Sequence, residues 1–159
     1  MTSEIERVDD LASAWLRAWT GEDRFEACCA HDVQYEDPLA KDPLRGLDAL
    51  EAYAARLRET LPDLRIERTG QMLTAGAYAC VPWRAAATHK GSSASLPATN
   101  RFVALHGLHY LELSDGQVRR ARGFFDLYDA ATQLGILPAR GGLGESVLLL
   151  LRGFGIRSS

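Results

Sequence analysis

The stretch RFVALHGLHYLELSDGQVRRARGFFDLYDAATQLG, residues 101–135, decides the fold. Its first half alternates: Val103, Leu105, Gly107, His109 and Leu111 fall on one face of a strand from Phe102 to Leu113. Phe102, Ala104, His106, Leu108 and Tyr110 fall on the other. Ser114-Asp115-Gly116 is a hairpin signal, because Asp and Gly tolerate the positive φ that tight turns need. A second strand, Gln117 to Leu127, follows, and counting by twos puts Val118, Arg120, Arg122, Phe124 and Asp126 on one side. Both faces of the pair are partly apolar, as in a sheet that packs on one side and lines a cavity on the other. Asp126 at the end of such a strand needs an explanation, since an ionised carboxylate is costly where water is scarce.

Outward from this pair, the chain divides into helices first and strands later. Ser3 to Thr20 has Val8, Leu11, Ala12, Trp15, Leu16 and Trp19 at helical intervals, with Ser3 and Glu6 at capping-box spacing. A short helix over Asp23–Ala30 and a strand over Val33–Asp37, stopped by Pro38, come next. Leu47 to Leu61 reads as a helix with Leu50, Tyr53, Ala54, Leu57 and Leu61 on one face and Pro62 beyond its end. Leu64–Thr74 and Tyr78–Thr88 supply further long strands. The Gly/Ser-rich connection from Lys90 to Pro97 is the candidate mobile loop. This order argues for α+β rather than alternating βαβ units. A curved antiparallel sheet wrapped on three helices of the N-terminal half leaves an internal cone, a natural small-molecule site.

Composition narrows the classes. A chain of 159 residues, 47% of them apolar, suits one domain, burying roughly 68–70% of its unfolded surface. The net charge of −3 and the absence of a Lys/Arg cluster argue against a nucleic-acid partner. Cys28, Cys29 and Cys80 cannot all pair and lack metal-ligand spacing, which fits a reducing, cytoplasmic setting. The polar N-terminus does not read as a signal peptide, and the run Val147–Leu151 is too short to span a membrane. The expected division is 1–138 as the domain and 139–159 as a helical tail, whose leucines at 148–151 would cover the cavity mouth or a second subunit.

Three stretches resemble the NTF2-like superfamily, and within it the SnoaL-like polyketide cyclase branch. They are Tyr35-Glu36-Asp37-Pro38 through Arg45-Gly46; Trp83 with Thr88-His89-Lys90-Gly91; and Asp115-Gly116-Gln117-Val118 through Asp126 to Gln133-Leu134-Gly135. The likeness covers about residues 5 to 137. It implies an α+β cone, a homodimer formed through the sheet, and ring closure by proton removal beside a carbonyl, with no metal or cofactor. Carried over, Asp126 would be the carboxylate and His109 its companion; many members have a further acid where this chain has Gly123. The Glu36-Asp37-Pro38 sequence also resembles ketosteroid isomerase, whose proton-shuttling aspartate matches Asp37. The places of that enzyme's hydrogen-bond donors hold Ala14 and His109 here.

The candidate catalytic residues are therefore Asp126, Asp37 and His109. A carboxylate in an apolar cavity can take a proton α to a carbonyl if a donor stabilises the enolate. Asp126 could equally pair with Arg122 or Arg120, or cap the helix after Tyr128. Asp37 could simply start the Asp-Pro turn, and His109 could be a satisfied core residue. Trp15, Trp19, Tyr35, Tyr53, Trp83, Leu105 and Phe124 are the candidate wall for a hydrophobic ligand, although aromatics at such spacing are commonly core. His89 is placed at the surface or rim, and His31 in solvent. Two other readings stay open: a non-catalytic ligand-binding or dimerisation module, and epoxide hydrolysis, which would need an Asp/Arg/Asp set with Arg122 near Asp126.

Overall fold

A computed structural model describes residues 4–92, 96–144 and 146–147. Helix α1 (Glu4–Thr20) is followed by one 3-10 turn (Phe25–Ala27), β1 (Cys29–Glu36), the two-residue β2 (Leu44–Arg45) and α2 (Leu47–Thr60). Then come β3 (Arg65–Arg68), β4 (Leu73–Ala75), β5 (Tyr78–Thr88), β6 (Phe102–Ser114), β7 (Gln117–Phe125) and α3 (Leu127–Gln133). The sheet runs β2-β1-β7-β6-β5-β3, with β4 also on β5. The α+β arrangement and the curved sheet against the helices are as the sequence implies. The cap at Ser3 and the leucine run 148–151 of the tail lie outside the described residues.

The central hairpin follows from its turn. Asp115 and Gly116 both have positive φ, 53° and 74°, which matches the right-handed twist of the flanking strands. On β6 the forecast alternation holds: Val103, His109 and Leu111 are buried, whereas Phe102, His106 and Tyr110 are exposed. On β7 it fails. Leu113 pairs with Val118 but Glu112 pairs with Arg120, so Arg119 is an extra, bulged residue. Beyond it the inward positions are Ala121, Gly123 and Phe125. Phe124 is therefore corrected from cavity wall to outer face, where it is 48% exposed.

Two further departures concern β1 and the edge. The helix expected over Asp23–Ala30 shrinks to the 3-10 turn, because β1 starts at Cys29 and runs parallel to β7, with Val118 N–H donating to the Cys28 carbonyl at 2.8 Å. The strand expected over Leu64–Thr74 is broken into β3 and β4 around Thr69-Gly70.

Helix α1 buries Ala12, Trp15, Leu16 and Trp19 against the inner face formed by Val81, Trp83, Leu111, Val118 and Ala121. Its last turn is fixed by Arg58, which donates to the carbonyls of Ala18 and Trp19 at 3.4 and 3.2 Å. Gly107 gives the Trp83 indole its place: a Cβ there would lie 2.2 Å from Trp83 Cζ2. These contacts leave the wide end of the cone unfilled, between α2, α3 and the near halves of β5 and β6.

Candidate functional site

Two adjoining spaces occupy the cone. The inner chamber, about 100 Å³, is lined among others by Trp19, Tyr35, Asp37, Tyr53, Trp83 and His109. The outer chamber, about 410 Å³, lies between α2 and α3 and includes Leu57, Thr60, His89, Val103, Ala131 and Leu134 in its wall. Tyr53, Leu57, Leu105 and Phe125 belong to both walls. Among the described residues, no cluster of three His, Cys, Asp or Glu side chains could hold a metal ion.

Asp37 sits just past the end of β1, where Pro38 stops the strand and the chain turns. Its Oδ1 accepts the backbone N–H groups of Leu39 and Ala40 at 2.7 and 2.8 Å. Its Oδ2 accepts the Tyr35 hydroxyl at 2.8 Å, and the Tyr53 hydroxyl is 2.9 Å from both oxygens. Every partner is a donor, which suits a carboxylate whose oxygens only accept. Tyr35 and Tyr53 are in turn held well above the usual phenol range, first by burial and then by the nearby Asp37 charge. Both hydroxyls therefore keep their protons.

His109 faces this group from β6. It is 3% exposed, its Nδ1 has no hydrogen-bond partner among the described residues, and burial pushes its pKa down to about 3. The ring is a neutral imidazole at ordinary pH. It stacks on Trp19 at 5.7 Å between centroids, and Trp15 meets it edge-on at 5.4 Å. Among the described residues, the indole N–H groups of Trp15, Trp19 and Trp83 are also buried without partners, and all three rings pack against the imidazole.

Gly123, inward on β7, holds the group together. A Cβ there would lie 2.7 Å from Tyr35 Oη, 3.1 Å from Asp37 Cβ and 3.4 Å from His109 Cδ2. A side chain at this position would point straight between the aspartate and the histidine. With glycine, the Tyr35 hydroxyl occupies that space.

Family membership follows from a match along the chain. The model of the SnoaL-like polyketide cyclases matches residues 9–134. The chain belongs to the SnoaL-like polyketide cyclase family. Solved structures share its NTF2-like fold at low identity. TsrD from Streptomyces laurentii is 21% identical, with a TM-score of 0.72, over 82% of this chain and 96% of its own. A protein from Jannaschia sp. CCS1 named as a SnoaL-like polyketide cyclase is 19% identical, with a TM-score of 0.74, over 86% and 97%. AclR from Streptomyces galilaeus, named as a hydroxylase, is 19% identical, with a TM-score of 0.71, over 96% and 95%. No curated protein matches the sequence.

Of the residues the sequence singles out, Asp37, His109, Tyr35, Tyr53, Trp19, Trp83 and Leu105 line the inner chamber of this family member. Trp15 does not: it is fully buried behind Trp19 and His109 as core. Asp126 is not brought to them either. The strand ends at Phe125, and Asp126 caps α3, accepting the Asp129 N–H at 2.9 Å and pairing with Arg140 at 2.9 Å. The capping N–H and then Arg140 hold its carboxyl below the usual range in an exposed place. Arg122 also faces outward, where its Nε donates to Glu36 at 2.9 Å, so no Asp/Arg/Asp set is assembled with Asp126. The sequence reading missed Phe125, hidden by the bulge, and the burial of His89. His89 is 2% exposed rather than at the surface; its place beside Trp83 in a family-like motif was the available signal.

Proposed function

We propose that this chain is a cofactor-independent acid/base enzyme that moves a proton on a hydrophobic carbonyl compound, by cyclisation or isomerisation. The observation that carries the reading is that Asp37 and His109 meet in one aromatic-walled chamber opening on a larger apolar one. Asp37 takes the proton α to the carbonyl through Oδ2, and the Tyr35 and Tyr53 hydroxyls keep that oxygen aimed inward. Neutral His109 donates a ring N–H to the oxygen on which enolate charge gathers, a task that a neutral imidazole performs without itself titrating. Return of the proton from Asp37 to another carbon completes isomerisation; attack of the enolate carbon on a second carbonyl, whose oxygen then takes the proton back from Asp37, completes ring closure. In this reading Asp37 takes the part that the family resemblance assigns to an acid at the Gly123 place, from directly beside it at the end of the neighbouring strand.

The test is solvent-deuterium uptake into a panel of polycyclic ketones, followed by NMR. The wild-type protein is expected to accelerate exchange at the α-carbon, and Asp37→Asn to lower the rate by about 10²- to 10⁴-fold. Full activity in Asp37→Asn would remove the mechanism. Gly123 favours one second reading, a ligand-binding module without turnover, because it leaves no acid on β7; tight ketone binding without any exchange would select it.

We propose in addition that two copies of the chain pair through the sheet. Tyr78, Phe102, Tyr110 and Phe124 are exposed on the outer face of the sheet, and the Tyr78 and Tyr110 rings stack at 5.7 Å. A second copy covering this face accounts for the apolar strip.

A further inference from the structure

We infer that His89 is a specificity residue of the outer chamber, and that the ligand is a carbonyl compound carrying a second, hydrogen-bond-accepting oxygen at its outer end. This deepens the proposed proton-transfer reading and rests on it. His89 follows directly after β5 and is held on both sides of its backbone, donating to the Arg101 carbonyl and accepting from the Asn100 N–H, each at 2.9 Å. The next residues are fixed to the end of α2, where Lys90 and Gly91 donate to the Thr60 carbonyl at 3.1 and 3.0 Å. The imidazole is thus a rigid piece of the chamber wall rather than part of a free loop.

Its ring nitrogens are unequally used. Nδ1 accepts the Thr99 backbone N–H at 3.1 Å and lies 3.0 Å from Thr99 Oγ1. An amide N–H can only donate, so Nδ1 carries no proton, and the neutral ring bears its hydrogen on Nε2. Among the described residues, Nε2 has no hydrogen-bond partner, and the ring lines the outer chamber. Closing the loop spends Nδ1 alone.

The other polar groups of that wall sharpen the inference. The Tyr53 hydroxyl is spent on Asp37, and the Thr60 hydroxyl donates to the Arg56 carbonyl at 3.1 Å. What remains is Nε2–H of His89 and the Arg56 guanidinium, which makes no ion pair among the described residues. Both can only donate. A wall otherwise made of Leu57, Val103, Ala131 and Leu134 therefore asks for an apolar body with an acceptor at one end, while the carbonyl at the other end reaches Asp37 and His109.

The test uses trans-2-decalone and analogues in which a second keto or hydroxyl oxygen is moved around the distal ring. Affinity is read by tryptophan fluorescence and α-exchange by deuterium uptake. At least one dioxygenated analogue is expected to bind wild-type protein about tenfold more tightly than decalone, the effect of one well-made hydrogen bond. His89→Phe is expected to erase that difference. His89→Gln retains it, because an amide can accept from Thr99 and still donate outward. Equal affinity for all analogues in the wild type, or a gain that persists in His89→Phe, overturns the inference. Exchange that continues without any gain leaves proton transfer standing and removes the His89 contact. A gain without exchange does the reverse, and absence of binding by every ketone removes both.

Discussion

Gly123 shows how much one missing methyl group can organise. Its Cα hydrogen faces Tyr35 Oη, and any Cβ would press on that hydroxyl at 2.7 Å. Gly123→Ala is therefore expected to push Tyr35 off Asp37, cost about 1–3 kcal/mol in urea unfolding through overpacking, and slow α-exchange by tenfold or more. Retention of both wild-type values would show that the tyrosine is not needed there. His109 supplies a second residue-scale prediction. Its pKa is near 3 in the fold, against about 6.5 for an unburied histidine. The unfolded chain takes up this proton as pH falls below 6.5, and the fold cannot. The stability owed to His109 is thus fully present above that pH and declines as pH falls toward 3, with a slope approaching 1.4 kcal/mol per pH unit, about the value of one pKa unit. Urea midpoints between pH 7 and 4 should show this decline, and His109→Phe, which keeps the stack on Trp19, should flatten it.

At the scale of elements, the capping of α3 separates stability from chemistry. Asp126→Ala removes the carboxylate that accepts the Asp129 N–H and pairs with Arg140, so the melting temperature should fall while α-exchange stays at its wild-type rate. Loss of exchange would return Asp126 to the site. Elements also explain what the sequence could tell. Strand β6 was legible because His109 and Leu111 obey strict alternation with no irregularity before Glu112, so His109 was correctly aimed inward. Strand β7 was half legible: a bulge at Arg119 leaves no side-chain signature, and counting past it exchanges Phe124 with Phe125. Asp37 was a candidate through the likeness of Glu36-Asp37-Pro38 to ketosteroid isomerase, with a plain Asp-Pro turn as the alternative, but its two tyrosine partners were not legible, since Tyr53 arrives from α2 across the chamber. The parallel pairing of β1 with β7 joins distant parts of the chain, and local patterning carries no record of it.

For the molecule as a whole, the sheet has an inner face that is filled or hollow and an outer one that is partly apolar. If two copies join there, sedimentation should give a dimer, and Tyr110→Glu, which places charge beside Tyr78, should shift the population to monomer. A wild-type protein that stays monomeric at high concentration would discard the pairing. No helix among the described residues is long and apolar enough to cross a membrane.

The side-by-side run of β1 and β7 has a consequence in time. The proposed base, Asp37, comes from an early segment and its proposed companion, His109, from a late one, and the pairing of β1 with β7 brings them to one chamber. A chain still emerging or refolding can already hold its helices and the β5–β6–β7 meander, yet possess no reactive centre. The proposed centre therefore depends on a long-range pairing of the first strand with the last, a kind of contact whose loop-closure cost makes it slow to form.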